Sequence, residues 1–83
     1  MREDGQERAG RELLEELGWA SVKVGVDGWP DRLVITGPGQ HIWWEVKVEA
    51  KWTPAQKRRI PWLRARGETV VVGNLVPALR LLR

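Results

Sequence analysis

The stretch Gly28–Lys47, GWPDRLVITGPGQHIWWEVK, decides how the chain folds. It reads as two apolar strands, Arg32 to Ile35 and His41 to Val48, joined by a turn over Thr36-Gly-Pro-Gly-Gln40. Side chains alternate across a strand. In the second strand Ile42, Trp44, Val46 and Val48 therefore share one face, and Trp43, Glu45, Lys47 and Glu49 share the other. Glu45 and Lys47 project the same way, roughly 6.6–7 Å apart along the strand. Alone, the pair is consistent with an amphipathic strand carrying a solvated salt bridge. Asp31 opens a second reading. It begins the preceding strand, and if the hairpin closes around Gly37-Pro38-Gly39, Asp31 comes beside Glu45. Two carboxylates then converge with one amine. Such a set suits Mg²⁺, which keeps several waters and takes one or two carboxylates plus substrate phosphate. A nearby ammonium can hold a water and offset charge on an attacked phosphate.

Working outward, Gly5 to Leu17 reads as a helix with Ala9, Leu13, Leu14 and Leu17 on one face and Gly18 as its stop. Ala20 to Val26 alternates as a strand, and Gly28-Trp29-Pro30 breaks it. Thr53 caps a second helix with Pro54 at its first position. Pro61 should kink or interrupt that helix, and Gly67 should end it. Thr69 to Gly73 reads as a buried strand and Val76 to Leu82 as a short last helix. The order α-β-β-β-α-β-α predicts one α/β domain over residues 1–83, with a mixed sheet of about four strands flanked by helices.

The chain has 83 residues and no cysteine, so neither a disulfide framework nor a thiolate metal site staples it. A monomer this small hides only roughly 60% of its unfolded surface. Six tryptophans, with no Phe or Tyr, exceed what so small a core needs, and tryptophan is favoured at interfaces. Both observations predict a homodimer. The net charge is +3, carried by ten arginines against four lysines. Arginine pairs two-pronged with phosphate, which fits a nucleic-acid partner; genomic composition or a hot habitat would produce the same bias. No stretch approaches the roughly 20 apolar residues of a membrane span. The charged start MREDGQER does not read as a signal peptide, which predicts a cytoplasmic protein.

The residues Pro30-Asp31 and Glu45-Val46-Lys47 resemble the signature of the PD-(D/E)XK nuclease superfamily, whose restriction-endonuclease-like core has the same element order. GQERAGRELLEELGWASVK resembles the opening of archaeal-type Holliday junction resolvases, with Glu7-Arg8 in the Glu-Arg place. GWPDRLVI, EVK and TPAQ followed by a basic helix resemble both those resolvases and the related VRR-type nuclease domain. The matches run from about Gly5 to Gly73. The resemblance implies a Mg²⁺-dependent endonuclease, with Mn²⁺ as a substitute, that resolves four-way DNA junctions as a homodimer. Other activities of the superfamily, flap trimming or restriction-type cleavage, and an inactive DNA-binding module are the alternatives. It further implies that Asp31 and Glu45 ligate the metal, with the Val46 carbonyl as third ligand. Lys47 would position the attacking water. Glu7 would act as an outer acid binding metal, with Glu3 and Glu12 as rivals and an ion pair with Arg11 as the alternative. Gln56 would orient Lys47, although Thr53-Pro-Ala-Gln56 is also a capping box. The resolvases often carry a serine before the PD aspartate. Here that stretch is Val26-Asp27-Gly28-Trp29, which leaves Asp27 or Trp29 for its work.

Lys51, Lys57, Arg58, Arg59, Arg64 and Arg66 cluster on and around the second helix and, with Lys23, form the expected DNA-facing surface; a solvated helix face is the alternative. His41 reads as a polar turn residue. Trp43 and Trp52 would brace the site or stack on bases, with core packing as the alternative. Trp62 and the Leu75–Leu82 segment are candidates for the dimer surface, with core packing as the alternative for each.

Overall fold

The computed structural model describes residues 5–75. Helix α1 (Gly5–Glu16) leads into β1 (Ala20–Lys23), β2 (Arg32–Gly37) and β3 (Gln40–Glu45). A 3₁₀ turn (Glu49–Lys51), helix α2 (Pro54–Ala65) and β4 (Val70–Val72) follow. The sheet order is β1-β2-β3-β4, antiparallel until β4, which runs parallel to β3. A parallel neighbour needs a long crossover, and α2 supplies it. The expected final helix over 76–82 lies outside the described residues.

Pro38 and Gly39 turn the β2–β3 hairpin. Gly39 has φ +67, the left-handed geometry that the position after proline in a tight turn requires. A register shift between Ile35 and Gly37 leaves Thr36 as the extra residue. Both helices close with paired hydrogen bonds around a glycine. At α1, Gly18 N–H donates to Glu15 O and Trp19 N–H to Leu14 O; at α2, Gly67 N–H donates to Arg64 O and Glu68 N–H to Leu63 O. Of the two outcomes expected at Pro61, a kink or an interruption, the interruption does not occur, and α2 runs through it. The missing N–H costs one bond on an exposed face, and the N-terminal capping box together with buried Ile60 and Leu63 offsets it.

Adjacent tryptophans of β3 face opposite layers. Trp44 joins Leu14, Val34, Val46 and Leu75 under α1. Trp43 packs with Trp52, Ile60, Leu63 and Val70 under α2. Both faces of the central strand are covered, so the amphipathic, half-solvated strand considered from the alternation does not occur. β3 also ends at Glu45, three residues before Val48, because the chain curls there. Leu75 is fully buried in the α1 layer, which removes it from the dimer surface.

The core face of α1 differs from the expectation. Ala9 is exposed, and Gly10 sits over the Trp44 ring. A Cβ at Gly10 would lie 2.9 Å from Trp44 Cζ2 and collide with Cη2. Hydrophobic spacing cannot register a seat that only a hydrogen atom fits. Gly10→Ala should therefore destabilise the fold even though alanine is the better helix former by about 1 kcal/mol, because overpacking costs about 1–3 kcal/mol. The same exchange at Gly5, where a Cβ meets nothing within 4 Å, should be neutral or slightly stabilising. Denaturant midpoints of the two variants check this; equal stabilities would remove the Gly10–Trp44 contact as a constraint.

Candidate active site

Strand register builds the site. Arg32 pairs with Trp44 across β2 and β3, so the next step of that register sets Asp31 opposite Glu45. The Asp31 carbonyl accepts from Val24 N–H at 2.9 Å, which ties the loop end to β1. The Asp31 Oδ2 accepts from Val46 N–H at 3.0 Å. The carboxylate thus caps the point where β3 ends.

Glu45 is fully buried, yet both its oxygens are satisfied. Gln56 Nε2 donates to Oε1 at 2.8 Å, and Lys47 N–H donates to Oε2 at 3.1 Å. Gln56 also closes the α2 capping box: its Oε1 accepts from Thr53 N–H at 3.0 Å, and its own N–H donates to Thr53 Oγ1 at 3.2 Å. The cap fixes which end of the amide faces Glu45. Capping and site roles, weighed as alternatives from the sequence, coexist in one side chain. The amide holds Glu45, however, and not Lys47 as expected.

Burial, a side-chain hydrogen bond with Asp31 and the Asp31 charge together push the Glu45 carboxyl up from 4.5 to about 7; the Lys47 amide and ammonium act against them. Lys47 is exposed, and its ammonium enters no hydrogen bond or ion pair among the described residues. Its backbone is anchored instead, since Trp52 Nε1 donates to Lys47 O at 2.7 Å.

Asp31, Val46, Lys47 and Gln56 border a cleft of about 380 Å³ whose lining also includes Glu7 and Lys23, while Glu45 is fully buried and does not line it. Asp27 and Trp29, the residues standing where resolvases carry serine, also line it. Glu7 reaches the cleft from α1 with its carboxylate engaged. Arg32 Nε donates to Oε2 at 2.8 Å and Lys23 Nζ at 3.2 Å. Arg11 bonds Glu15 at 2.9 Å. Glu12 is exposed and Glu3 lies outside the described residues. Among the described residues no three His, Asp or Glu side chains come together closely enough to hold a metal ion. The carboxylates that could serve as donors to a cation are the adjacent Asp31 and Glu45. That set fits Mg²⁺, which needs few carboxylates, and a cation there would relieve the charge conflict that raises Glu45.

Lys23 touches Glu7 and makes no bond to Asp31. Lys57 and Arg58 are exposed on α2, Arg59 is half-buried there, and Lys51 is exposed in the 3₁₀ turn. Arg64 is committed elsewhere, donating to Val70 O at 2.9 Å. His41 meets Glu68 at 2.7 Å, and Trp43 Nε1 donates to the same Glu68 oxygen at 2.7 Å. Trp43 and Trp52 therefore pack as core. Sequence reasoning missed Arg32, which is buried and also donates to Ser21 Oγ at 3.1 Å. Its signal was available: an arginine on the same strand face as Val34 can be buried only against an acid from the covering helix.

A three-stranded antiparallel meander with a parallel fourth strand, two flanking helices and a carboxylate pair beside an unpaired lysine define an α/β nuclease fold. A solved VRR_NUC domain matches with a TM-score of 0.75 and 34% sequence identity, over 93% of this chain and 89% of that one. No protein-family model and no curated protein matches the sequence. The chain belongs to the VRR_NUC family and is a PD-(D/E)XK-like nuclease domain. Among the described residues, no helix is long and apolar enough to cross a membrane.

The raised Glu45 carboxyl makes stability depend on pH. In the unfolded chain Glu45 loses its proton near 4.5, and in the fold near 7. Between those values the folded state holds a proton that the unfolded state has lost. Melting temperature measured without divalent metal should therefore fall as pH rises through that window and level off above it. Glu45→Gln should flatten this component. An equal slope in both proteins would assign the dependence to other groups.

Proposed function

We propose that this nuclease domain is a Mg²⁺-dependent endodeoxyribonuclease that cuts branched DNA, resolving four-way junctions as a homodimer. The observation that carries the reading is the buried Glu45 held against Asp31, beside a cleft lined by Asp31 and the unpaired Lys47. Asp31, Glu45 and the Val46 carbonyl would hold the metal, with Mn²⁺ as a substitute. When bound, it would supply Lewis-acid polarisation of the phosphate and neutralise charge on the attacked group.

The chain's own residues do the positioning. Gln56 and the Lys47 amide fix both oxygens of Glu45, and the Val46 amide fixes Asp31. The Lys47 ammonium donates to the attacking water, orients it toward phosphorus and offsets the charge that accumulates on the phosphoryl oxygens. Its side chain starts from a backbone pinned by Trp52, which limits where the ammonium can reach. Glu7 keeps Lys23 and Arg32 paired at the far side of the cleft, where Lys23 can also meet a phosphate. Lys51, Lys57, Arg58 and Arg59 supply sequence-independent contacts to the DNA backbone. A homodimer suits a four-way junction, because two-fold symmetry gives two equivalent sites for two opposed cuts. The small size of the chain supports the same assembly.

The test is cleavage of labelled four-way junction, flap and plain duplex, with and without Mg²⁺. The junction should be cut in preference to the others, and only with metal. Asp31→Asn, Glu45→Gln and Lys47→Ala should each abolish cleavage while junction binding persists. Preferential flap cleavage would overturn the junction assignment, and normal turnover by a variant would remove that residue from the chemistry.

Gln56 gives a separate measurement. Gln56→Glu preserves the capping box, in which glutamate is an ordinary partner, and replaces the donor on Glu45 with a second carboxylate. Cleavage should drop by about an order of magnitude or more, the scale of changes to groups that orient metal ligands. Wild-type rates from the folded variant would leave Gln56 as a helix cap alone.

A further inference from the structure

A second cavity, of about 330 Å³, lies beside the catalytic cleft and is lined by Asp27, Gly28, Ala55, Arg58, Arg59 and Trp62. Asp27 and Gly28 line both cavities, so the two share a wall. Gly28 makes that wall thin. It has φ +85, and a Cβ there would lie 3.0 Å from Ala55 Cβ, so only glycine lets the loop rest on α2.

Arg59 differs from the other cations of α2. Its guanidinium lies 4.8 Å from the Trp29 ring centroid and 4.5 Å from that of Trp62. The two indoles are 6.5 Å apart at 72°, so the guanidinium sits in the notch between them. On Trp62 a second guanidinium, Arg66, lies 3.7 Å from the ring centroid. Among the described residues Arg59 enters no hydrogen bond or ion pair. Its stacking is fixed while its N–H donors remain unspent. Arg58 is exposed and stacks on no ring. Asp27, on the shared wall, repels phosphate from that side and can accept from donors of a sugar or base.

We propose that this second cavity is a nucleotide subsite that sets the register of the DNA strand against the catalytic cleft, with one backbone phosphate held by the notched guanidinium of Arg59. The proposal rests on the nuclease reading above and adds a specific strand path to it. A planar guanidinium takes a phosphate through two parallel hydrogen bonds, and an ammonium cannot. Holding the guanidinium beforehand lowers the ordering cost of binding. The shared wall keeps the phosphate on Arg59 within a short stretch of strand from the one at Asp31 and Glu45. Diffuse electrostatic attraction would make lysine as good as arginine at this position. A registered subsite would not.

The experiment measures junction binding by fluorescence anisotropy without metal, using wild type, Arg59→Lys and Arg11→Lys. A single neutral methylphosphonate is walked along the cut strand. Wild-type affinity should fall by about tenfold at one position near the cut, the loss of a two-pronged charged contact. Arg59→Lys should bind the unmodified junction about tenfold more weakly and show no extra loss at that position. Arg11→Lys, on α1 where the arginine pairs with Glu15, should behave as wild type, and Trp62→Leu, which keeps the arginine but opens the notch, should move toward Arg59→Lys. Equal affinity of Arg59→Lys and wild type, or an even response at every methylphosphonate position, would overturn the subsite. If wild type cuts no DNA but the registered response appears, the cleavage reading fails and the subsite stands.

Discussion

The buried carboxylate of Glu45 is the constraint on which the rest of the site depends. It stands at the last residue of β3, where the parallel ladder to β4 ends, one residue past the last pair of the antiparallel ladder to β2. A carboxylate without solvent is costly unless each oxygen is bonded. Here one oxygen takes Gln56 from α2 and the other takes the backbone of Lys47. The same two bonds therefore dock the N-terminus of α2 on the sheet and curl the chain so that Lys47 leaves the strand. Asp31, bonded to the intervening Val46 amide, adds a second negative group to the same corner. The fold holds together a charge arrangement that favours a cation, and the raised Glu45 carboxyl is the sign of it.

The tryptophans serve packing and function in different proportions. Trp44 fills the α1 layer and sends its N–H to Gly73 O at 2.8 Å, tying β3 to the residue just past β4. Trp52 is buried as well, but its N–H holds the Lys47 carbonyl. Trp29 packs on Trp43 at 5.4 Å and still reaches both the cleft beside Asp31 and Arg59. Trp62 is 40% exposed and carries two guanidiniums. Aromatic mass thus grades from core to rim, and the rim tryptophans hold arginines against their rings.

Buried charge is handled differently on the two sides of the sheet. Under α1, Glu7 meets Arg32 and Lys23, so the acid is matched with cations from the protein. Under α2, Glu45 and Asp31 are matched only by hydrogen-bond donors and the charge of Lys47. The first arrangement is self-contained and bonds helix to sheet. The second is incomplete electrostatically, and Glu7, which borders the cleft beside Asp31, stands apart from the carboxylate pair.

Much of the fold was legible because its signals are local. Strand alternation, the Pro38-Gly39 turn, the Thr53 cap and the glycine stops at Gly18 and Gly67 each act over a few residues, and each formed. The hairpin register then followed, and with it the meeting of Asp31 with Glu45. What tertiary structure decided involves partners far apart in sequence. Gly10 against Trp44, Arg32 against Glu7, Gln56 on Glu45 and Arg59 between Trp29 and Trp62 all depend on how the helices settle on the sheet. Alternation could place Glu45 on a face, but only the covering helix made that face dry. The sequence by itself determined which chemical groups the chain brings and in what local order. Packing decided which became buried, and desolvation turned an ordinary glutamate into a carboxyl that titrates near 7.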